Sequence, residues 1–539
     1  ENKSTRFFVN TGFDISDDSR IYAFGSYAEA DGRYRFFYRN PSHSSIATLV
    51  DDFGYTGSLL ETGYTGFLDG AQKDYAIAVG WKGQTGSEFG YDLSVNYGKN
   101  ELDYFLNNGL NADLGLGADG EPLQRNFDVG AFEQSEINVN ADFTKQLSDS
   151  WFLAFGAEWR EETWESISGE PNSYFGSGTT GSGFTSPAPQ DAGEFDRDNY
   201  SVYADVEYDV TEAVLLQAAA RYEDYADFGS TTIGKLAGRW SVTDNFTLRA
   251  AGSTGFHAPT PGQANLRTTN TTFDGMTGLQ VEELQVAPTD PLAIANGGAA
   301  LTEEKSVNYS VGFTADFGES TTLTVDAYQI EVSDRIYRTG DIAVVSPDVS
   351  SISFYTNAMD LEHKGLDVVL TSGWDWGDSV NTDITFAYNH NQVEVTDQQA
   401  VNTPTGPVIP VSDANVEDIE NNFPENRFVL TANTYFGSNF NLLLRANFYG
   451  DHYDERGRIG ADVEPSAKIG EIMYIDLELG WDVSDNVRIV AGGSNIFDEY
   501  VDEVGPPNAN RLSVGLPYPR RSAANYEGGS WYLRAAYRW

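Results

Sequence analysis

The 539-residue chain contains five histidines, and their spacing bears on metal binding. They are His43, His257, His363, His390 and His452. Metal sites built on one local element space their histidines three or four residues apart. No two of these five are so close, and the chain has no cysteine. The sequence therefore predicts no metal site, no thiolate chemistry and no cofactor.

Paired carboxylates are the next groups with catalytic potential. Asp476 and Glu478 are two residues apart in a segment where apolar and polar residues alternate, so both fall on one face of a strand. Acid–base catalysis is one interpretation; the other is that they keep an inward strand face polar. We favour the second, also for Arg249, Arg445, Arg534 and Arg538. No nucleophile–base motif accompanies them, and no enzyme is predicted.

Two acidic clusters have the residue types that bind calcium. They are Asp451-His452-Tyr453-Asp454-Glu455 and Asp498-Glu499-Tyr500-Val501-Asp502-Glu503. Ca²⁺ takes several carboxylate oxygens, but neither cluster matches an EF-hand loop. A solvated loop is the alternative interpretation for both. The run Gly176–Gly183 is interpreted as a loop, because no phosphate-binding Gly-Lys-Ser/Thr follows it.

The segment 34–39 mixes aromatic rings with arginine. Its sequence is Tyr34-Arg35-Phe36-Phe37-Tyr38-Arg39. Such a surface can stack on a sugar or an aromatic ligand. Alternatively, the segment ends a strand in a band of interfacial aromatic residues.

These residues must be positioned by strands, because strict alternation recurs along the chain. In Met473–Val483 the apolar face is Met473, Ile475, Leu477, Leu479, Trp481 and Val483. The same pattern occurs at 151–160, 307–317 and 531–539. Such strands reach about 10 residues or more, the length of a tilted membrane crossing. One phase change after Leu323, Val325 and Ala327 predicts a bulge near Gln329.

Composition excludes several classes of protein. The chain has 81 acidic and 33 basic residues, a net charge of −48, and 13% aromatics. No apolar stretch of about 20 residues exists for a membrane helix. An acidic surplus disfavours nucleic-acid binding, and abundant aromatics disfavour disorder. A transmembrane β-barrel remains, because its alternating strands do not raise the mean hydropathy.

The connections between the strands are sorted by length. About 19 strands are predicted, joined on one side by short turns such as Ser16–Ser19, Ser148–Ser150 and Gly437–Asn439. The other side has mostly long connections, near 31–71, 101–131, 166–196, 259–302, 336–361, 396–424, 451–469 and 498–529. Outer-membrane barrels have short periplasmic turns and long extracellular loops, whereas a soluble β-sandwich does not sort its loops in this way.

This sorting also orients the chain. The last strand runs from a long loop to a periplasmic Trp539, and the first strand starts outside. Bacterial barrels normally have an even strand number with both ends periplasmic. An odd count predicts that at least one strand precedes Glu1.

Several segments resemble the TonB-dependent outer-membrane receptor family. Gly255-Phe256-His257-Ala258-Pro259-Thr260 is similar to the family's G-F-R-A-P-T segment, with His257 in place of arginine. Thr356-Asn357-Ala358 with Lys364-Gly365-Leu366-Asp367 resembles a second motif pair, and Asn495-Ile496-Phe497-Asp498-Glu499-Tyr500 resembles N-L-F-D-x-x-Y. Leu301–Ser306, with Tyr309 and Gly312, resembles a strand start of the family. The end, with Tyr537 and Trp539, resembles the signal for the barrel-assembly machinery.

The resemblance implies a 22-stranded barrel closed by an N-terminal plug. Residues 1–539 would be the barrel portion, roughly strands 4–22, without the plug and its TonB-contacting box. Haem receptors of the family use loop and strand histidines, so His257 is a candidate haem or metal ligand. No other histidine lies at a metal-binding spacing from His257, and this disfavours ligation. The candidate ligand-binding residues are Tyr34, Arg35, Tyr38, His257, Asp451, His452 and Tyr453.

The expected function is TonB-energised uptake of a bulky, scarce nutrient across the outer membrane of a Gram-negative bacterium. The nutrient would be a carbohydrate oligomer, siderophore, cobalamin or haem, and a −48 charge slightly favours a sugar over an anionic siderophore. Expected partners are outer-membrane lipid and lipopolysaccharide, the TonB complex through the plug, the barrel-assembly machinery and the nutrient, but no nucleic acid. A passive porin and a surface adhesin are the alternatives.

Overall fold

A computed structural model describes residues 3–176, 186–273, 280–344, 351–454, 467–503, 517–519 and 522–538. It contains one antiparallel sheet of 19 strands, in which each strand pairs with the next along the chain. The strands are β1 Lys3–Ser16, β2 Ser19–Arg39, β3 Tyr64–Gln84, β4 Phe89–Asn107, β5 Phe127–Ser148, β6 Trp151–Ile167, β7 Gly193–Thr211, β8 Val214–Tyr225, β9 Gly229–Thr243, β10 Phe246–His257, β11 Glu304–Phe317, β12 Thr321–Arg338, β13 Tyr355–Asp375, β14 Val380–Gln398, β15 Asn426–Phe436, β16 Phe440–Tyr449, β17 Ile472–Ser484, β18 Val487–Ser494 and β19 Ser530–Tyr537. The predicted strand number and the sorting into short and long connections are confirmed.

The long connections contain short elements of their own. The helices are Ser44–Phe53, Leu59–Thr62, Pro261–Asn265, Pro291–Ala295 and Asp413–Asn421, with 3₁₀ turns at Ala112–Leu114 and Pro171–Ser173. Short strands pair within these loops at Thr268–Phe273, Gln280–Gln285, Ile342–Ala343, Ser351–Ser353, Val401–Thr403, Gly406–Val408, His452–Asp454 and Ala467–Ile469. Among the described residues, no helix is both long and apolar enough to cross a membrane.

Alternation gives the sheet two chemically different faces, which we call the lipid face and the lumen face. On β17, Ile475 and Leu477 lie on the lipid face, opposite Ala446 and Leu444 of β16. Asp476 lies on the lumen face and accepts hydrogen bonds from Asn447 Nδ2 at 3.1 Å and from Ser494 Oγ at 2.8 Å. The lumen face is therefore polar and internally hydrogen-bonded.

Two arginines on the lumen face pair with carboxylates two strands away. Arg249 Nε donates to Asp326 Oδ1 at 2.8 Å, and Arg534 Nη2 donates to Glu478 Oε2 at 2.7 Å. These side chains form a structural network, and this agrees with the non-catalytic interpretation of the carboxylate pair.

Aromatic rings on the lipid face form two bands. Tyr27, Tyr75 and Tyr97 lie side by side, 8 or 9 residues from the strand ends at the short turns, since their strands pair in register. Trp151 and Tyr208 stack at 4.3 Å beside the short turns. Such bands mark the two membrane–water interfaces of a barrel.

The position predicted for the bulge, near Gln329, is wrong. The pairing of β12 with β13 is regular from Thr321 to Val332 and shifts between Val332 and Arg335. The extra residue is Asp334, which has φ 58°. Ile330 and Val332 therefore keep the strand's phase and lie on the lumen face. Apolar residues there gave the false impression of a phase change.

Compact apolar cores occur in the long loops. One contains Ile46, Leu49, Tyr55, Leu59, Tyr64, Leu110 and Ala112. The helix that enters it begins at His43, whose Nδ1 accepts a hydrogen bond from Ser45 N at 3.3 Å. Burial, together with the nearby Arg39 charge, lowers the pKa of His43 to about 4. Neutral His43 thus caps the helix.

The assignment of faces predicts that arginine substitutions at two adjacent residues of β11 differ in their effect on stability. Val311 is 58% exposed on the lipid face, and Ser310 lies on the lumen face. Val311→Arg should lower the unfolding free energy by about 2–4 kcal/mol, because a charge in hydrocarbon is poorly solvated. Ser310→Arg should change it little. Denaturant unfolding in lipid vesicles measures both, and equal losses would contradict the assignment of faces.

The His43 cap predicts a pH-dependent loop. The folded state disfavours the protonated ring, so its contribution is complete above pH about 6.5 and is lost as the pH falls toward 4. The loss should be about 1–2 kcal/mol, because the ring is only partly buried. Hydrogen exchange of residues 44–64 measures it. His43→Asn keeps a capping side chain that does not titrate and should remove the pH dependence; an unchanged slope would exclude His43 as its source.

Candidate ligand-binding site at the lumen mouth

A pocket of about 630 Å³ opens on the lumen face of β12–β16, near their ends at the long loops. Five strands and two loops form it. Its lining residues are Tyr328, Ile330, His363, Asp367, Asn389, Asn391, Phe423, Pro424, Arg427, Tyr449 and Ala523. We call it the mouth pocket.

Strand register aligns the polar wall of the mouth pocket. Asp367 on β13 lies directly opposite Asn389 on β14, which lies opposite Arg427 on β15, which lies opposite Tyr449 on β16. Directly paired residues project to the same face of a sheet. The row therefore presents a carboxylate, an amide, a guanidinium and a phenol ring to one cavity.

Hydrogen bonds and ring contacts hold these groups in place. Asn389 Nδ2 donates to Asp367 Oδ1 at 2.7 Å, and Tyr328 OH donates to Asn391 Oδ1 at 3.1 Å. The Arg427 guanidinium lies 4.0 Å from the centroid of the Tyr449 ring. Among the described residues, Arg427 makes no ion pair, so its N–H groups are available to a ligand.

The chemistry of the mouth pocket is close to neutral. Asp367 and Arg427 carry opposite charges, and the amides of Asn389 and Asn391 add donors and acceptors. Phe423 is 71% exposed and supplies a flat apolar surface beside them. Amides, one charge of each sign and aromatic faces suit an uncharged ligand with many hydroxyl groups and flat ring faces.

The predicted aromatic segment 34–39 is divided between the faces of β2. Tyr34 lies on the lumen face opposite Leu68 and is 66% exposed. Arg35 lies on the other face, 6.0 Å from the Phe67 ring centroid. Tyr38 OH donates to Thr62 O at 2.8 Å beyond a register shift. These side chains do not form one continuous stacking surface, and ligand binding by Tyr34, Arg35 and Tyr38 stays a prediction.

His257 ends β10 on the lumen face. Its Nδ1 lies 3.9 Å from Glu304 Oε1. Glu304 is buried and already accepts from Arg335 Nη1 at 2.7 Å and from Ile336 N at 3.0 Å. Among the described residues there is no group of three or more side chains that could hold a metal ion. A ligand role for His257 remains untested.

The residues after β16 have a positioning role beside the mouth pocket. His452 is fully buried, and its Nε2 lies 3.1 Å from Ser522 Oγ, next to the pocket residue Ala523. Asp451 Oδ2 pairs with Lys468 Nζ at 3.0 Å and raises the pKa of that lysine. Tyr453 lies opposite Lys468 in a loop hairpin. The geometry thus links the predicted His452 to the pocket through the wall it supports.

The second acidic cluster ties loops together through backbone amides. Asp498 Oδ1 accepts from Gly529 N, and Asp502 Oδ2 accepts from Gly470 N, both at 2.8 Å. Glu455 of the first cluster, residues 177–183 of the glycine-rich run and Trp539 lie outside the described residues. Tyr537 is 64% exposed on β19, opposite Val487. Its role in barrel assembly stays a prediction.

The mouth-pocket residues were missed at the sequence level. Asp367, Asn389 and Arg427 come from three strands that are far apart along the chain, and each is an ordinary polar residue on a lumen face. The available signal was their place near the long-loop end of a strand. Their convergence depends on the pairing register, which the sequence alone does not specify.

Comparisons with known proteins agree with an outer-membrane barrel. Residues 6–496 match the family model described as TonB dependent receptor-like, beta-barrel. The siderophore receptor PirA of Acinetobacter baumannii is similar in structure, with a TM-score of 0.64 and 15% identity over 99% of this chain and 71% of that chain. The ferric enterobactin receptor PfeA of Pseudomonas aeruginosa gives a TM-score of 0.62 and 14% identity over 99% and 69%. A search of curated proteins finds no match.

The fold and the polar lumen define the class as an outer-membrane β-barrel of a Gram-negative bacterium. The chain belongs to the TonB-dependent receptor β-barrel family, since the family model matches most of its length. The family's proteins are transporters that take up nutrients with energy delivered by TonB. The predicted family, fold and location are confirmed.

The two candidate histidines should differ sharply in their effect on stability. His452→Ala leaves the Gly450 carbonyl and the Ser522 hydroxyl without their imidazole partner. This should lower the free energy of local opening by about 1–3 kcal/mol. His257→Ala should have little effect, because that side chain is 56% exposed. Hydrogen exchange across residues 449–454 and 522–525 reports both. Equal protection in the two variants would argue against a positioning role for His452.

Proposed function

We propose that the protein takes up a neutral carbohydrate oligomer that binds first in the mouth pocket. The observation that carries this proposal is the row Asp367–Asn389–Arg427–Tyr449, which offers amide, charged and aromatic groups to one cavity. Sugars have hydroxyl groups that both donate and accept hydrogen bonds, and they have flat faces that pack on aromatic rings. The near-neutral charge of the pocket matches an uncharged ligand.

Charge disfavours the anionic alternatives. The chain carries a net charge of −48, and its lumen arginines Arg249 and Arg534 are already paired with carboxylates. An anionic iron chelate would meet a repulsive field and few unpaired cations. PirA and PfeA are named for siderophores, and at 14–15% identity their likeness concerns the fold alone.

TonB supplies the energy in this proposal. Uptake then requires an energised inner membrane, which a passive porin does not. Surface attachment through the long loops, as in an adhesin, would need no transport at all. Outer-membrane lipid and lipopolysaccharide would surround the lipid face, and the barrel-assembly machinery would insert the strands.

The test is oligosaccharide binding by the full-length receptor in detergent. A panel of neutral oligosaccharides and one ferric catecholate siderophore is titrated by calorimetry. Arg427→Ala should weaken binding of the best sugar about tenfold or more, because it removes a charged hydrogen-bond donor. Arg445→Ala is the matched control, since Arg445 lies on the lumen face of β16 outside the mouth pocket.

Three outcomes would contradict the proposal. Binding of the siderophore without any sugar would show that the substrate class is wrong. Equal sugar affinity of the Arg427→Ala and Arg445→Ala variants would show that the sugar does not bind in the mouth pocket. Uptake of the bound sugar in cells with a collapsed proton gradient would favour the porin.

A further inference from the structure

A strip of four aromatic side chains crosses the lumen wall on strands other than those of the mouth pocket. It consists of Tyr104 on β4, Phe132 on β5, Trp164 on β6 and Phe195 on β7. We call it the aromatic strip. Successive ring centroids are 6.4, 6.1 and 5.9 Å apart, and the last two pairs are stacked with interplanar angles of 19° and 26°.

Strand register assigns the aromatic strip to the lumen face. Phe195 lies directly opposite Trp164, and Phe132 lies opposite Ser166, two residues along β6 from Trp164. Trp159, five residues before Trp164, falls on the lipid face beside Val139. Phe132, Trp164 and Phe195 therefore form a run of near-parallel rings inside the barrel, and Tyr104 meets Phe132 edge-on with an interplanar angle of 76°.

The aromatic strip is anchored but not fully covered. Tyr104 packs against the cluster of Leu106, Phe127 and Val129, which fixes that end. The short helix Pro261–Asn265 lies against β6 and β7. All four rings nevertheless keep part of their surface exposed. An aromatic surface that stays partly open toward a polar lumen is typical of a binding surface.

Buried polar atoms without a hydrogen-bond partner lie on the same strands as the aromatic strip, one of them next to it and the others further along. Among the described residues, the buried side-chain atoms without a hydrogen-bond partner are Asn138 Oδ1, Arg160 Nε, Ser166 Oγ, Asn199 Oδ1, Ser201 Oγ and Gln285 Nε2. All but the last belong to the lumen face of β5, β6 and β7. Ser166 is 2% exposed and is the neighbour of Trp164 on that face.

The pairing places these groups in a row. Asn138 lies opposite Arg160, which lies opposite Asn199, so an acceptor, a donor and an acceptor follow one another across three strands. Strands are about 4.8 Å apart. Buried polar groups normally find partners, so this cluster of exceptions on one wall lacks partners among the described side chains.

We propose that the aromatic strip and the polar row below it form a second saccharide-binding surface, distinct from the mouth pocket. Ring faces of the sugar pack on Phe132, Trp164 and Phe195, and its hydroxyl groups pair with the row. Of the carboxylates nearby, Glu162 pairs with Arg197 and Glu158 lies 3.5 Å from Arg221, so this wall is close to neutral and suits an uncharged ligand. This inference rests on the proposed sugar uptake and extends it from one subsite to two walls of the lumen.

The experiment uses the full-length receptor and an array of neutral oligosaccharides built from glucose, mannose, galactose and xylose. The best binder is titrated against Trp164→Ala, Trp164→Phe and the control Trp159→Ala, whose side chain is on the lipid face. Trp164→Ala should lower affinity about tenfold. Trp164→Phe should retain most of it, and Trp159→Ala should bind as wild type does.

The outcomes separate the two proposals. If Arg427→Ala weakens sugar binding and Trp164→Ala binds as the wild type does, the aromatic strip is not a binding surface. The proposed function would then still hold. Absence of any binding by the wild-type receptor would overturn the proposed function itself. Near-ultraviolet circular dichroism of each variant checks folding, and Trp164→Phe keeps the test valid if Trp164→Ala does not fold.

Discussion

Backbone hydrogen bonding in hydrocarbon is the constraint on which this structure depends. Lipid offers no partner to a peptide N–H or C=O, so each strand inside the membrane must pair with its neighbours. The unbroken ladder from β1 to β19 satisfies that requirement through sequential antiparallel pairing. Once register is fixed, each side chain is assigned to lipid or lumen, because a slip of one residue would exchange the two faces.

Register therefore creates the mouth pocket as well as the wall. Asp367, Asn389, Arg427 and Tyr449 share a cavity only because their strands pair at those positions. The sequence supports prediction of the strands, their facing and the sorting of loops, since alternation and turn residues are local signals. It does not support prediction of the mouth pocket, because cross-strand partners are separated by long loops.

Local signals also mislead where loops meet the sheet. Ile330 and Val332 are apolar on a lumen face, and their alternation suggested a shift that occurs only at Asp334. The segment 34–39 has two interpretations from the sequence, a stacking surface or a strand end, and alternation places Tyr34 and Arg35 on opposite faces. His452 is fully buried in the wall beside the mouth pocket, a position that no sequence pattern indicates, and its role in ligand binding stays a prediction.

The acidic composition acquires a physical meaning once the faces are known. On the lumen wall, guanidinium groups such as Arg249 and Arg534 are held by carboxylates, which leaves an anion little to bind. Arg427 differs, because it rests on the Tyr449 ring and keeps its donors available beside two amides. A lumen wall with few unpaired cations and a near-neutral pocket rich in amides and aromatic rings is the basis for proposing an uncharged hydroxylated substrate. Selectivity then comes from the distribution of paired and unpaired groups over the wall, and the net charge alone does not determine it.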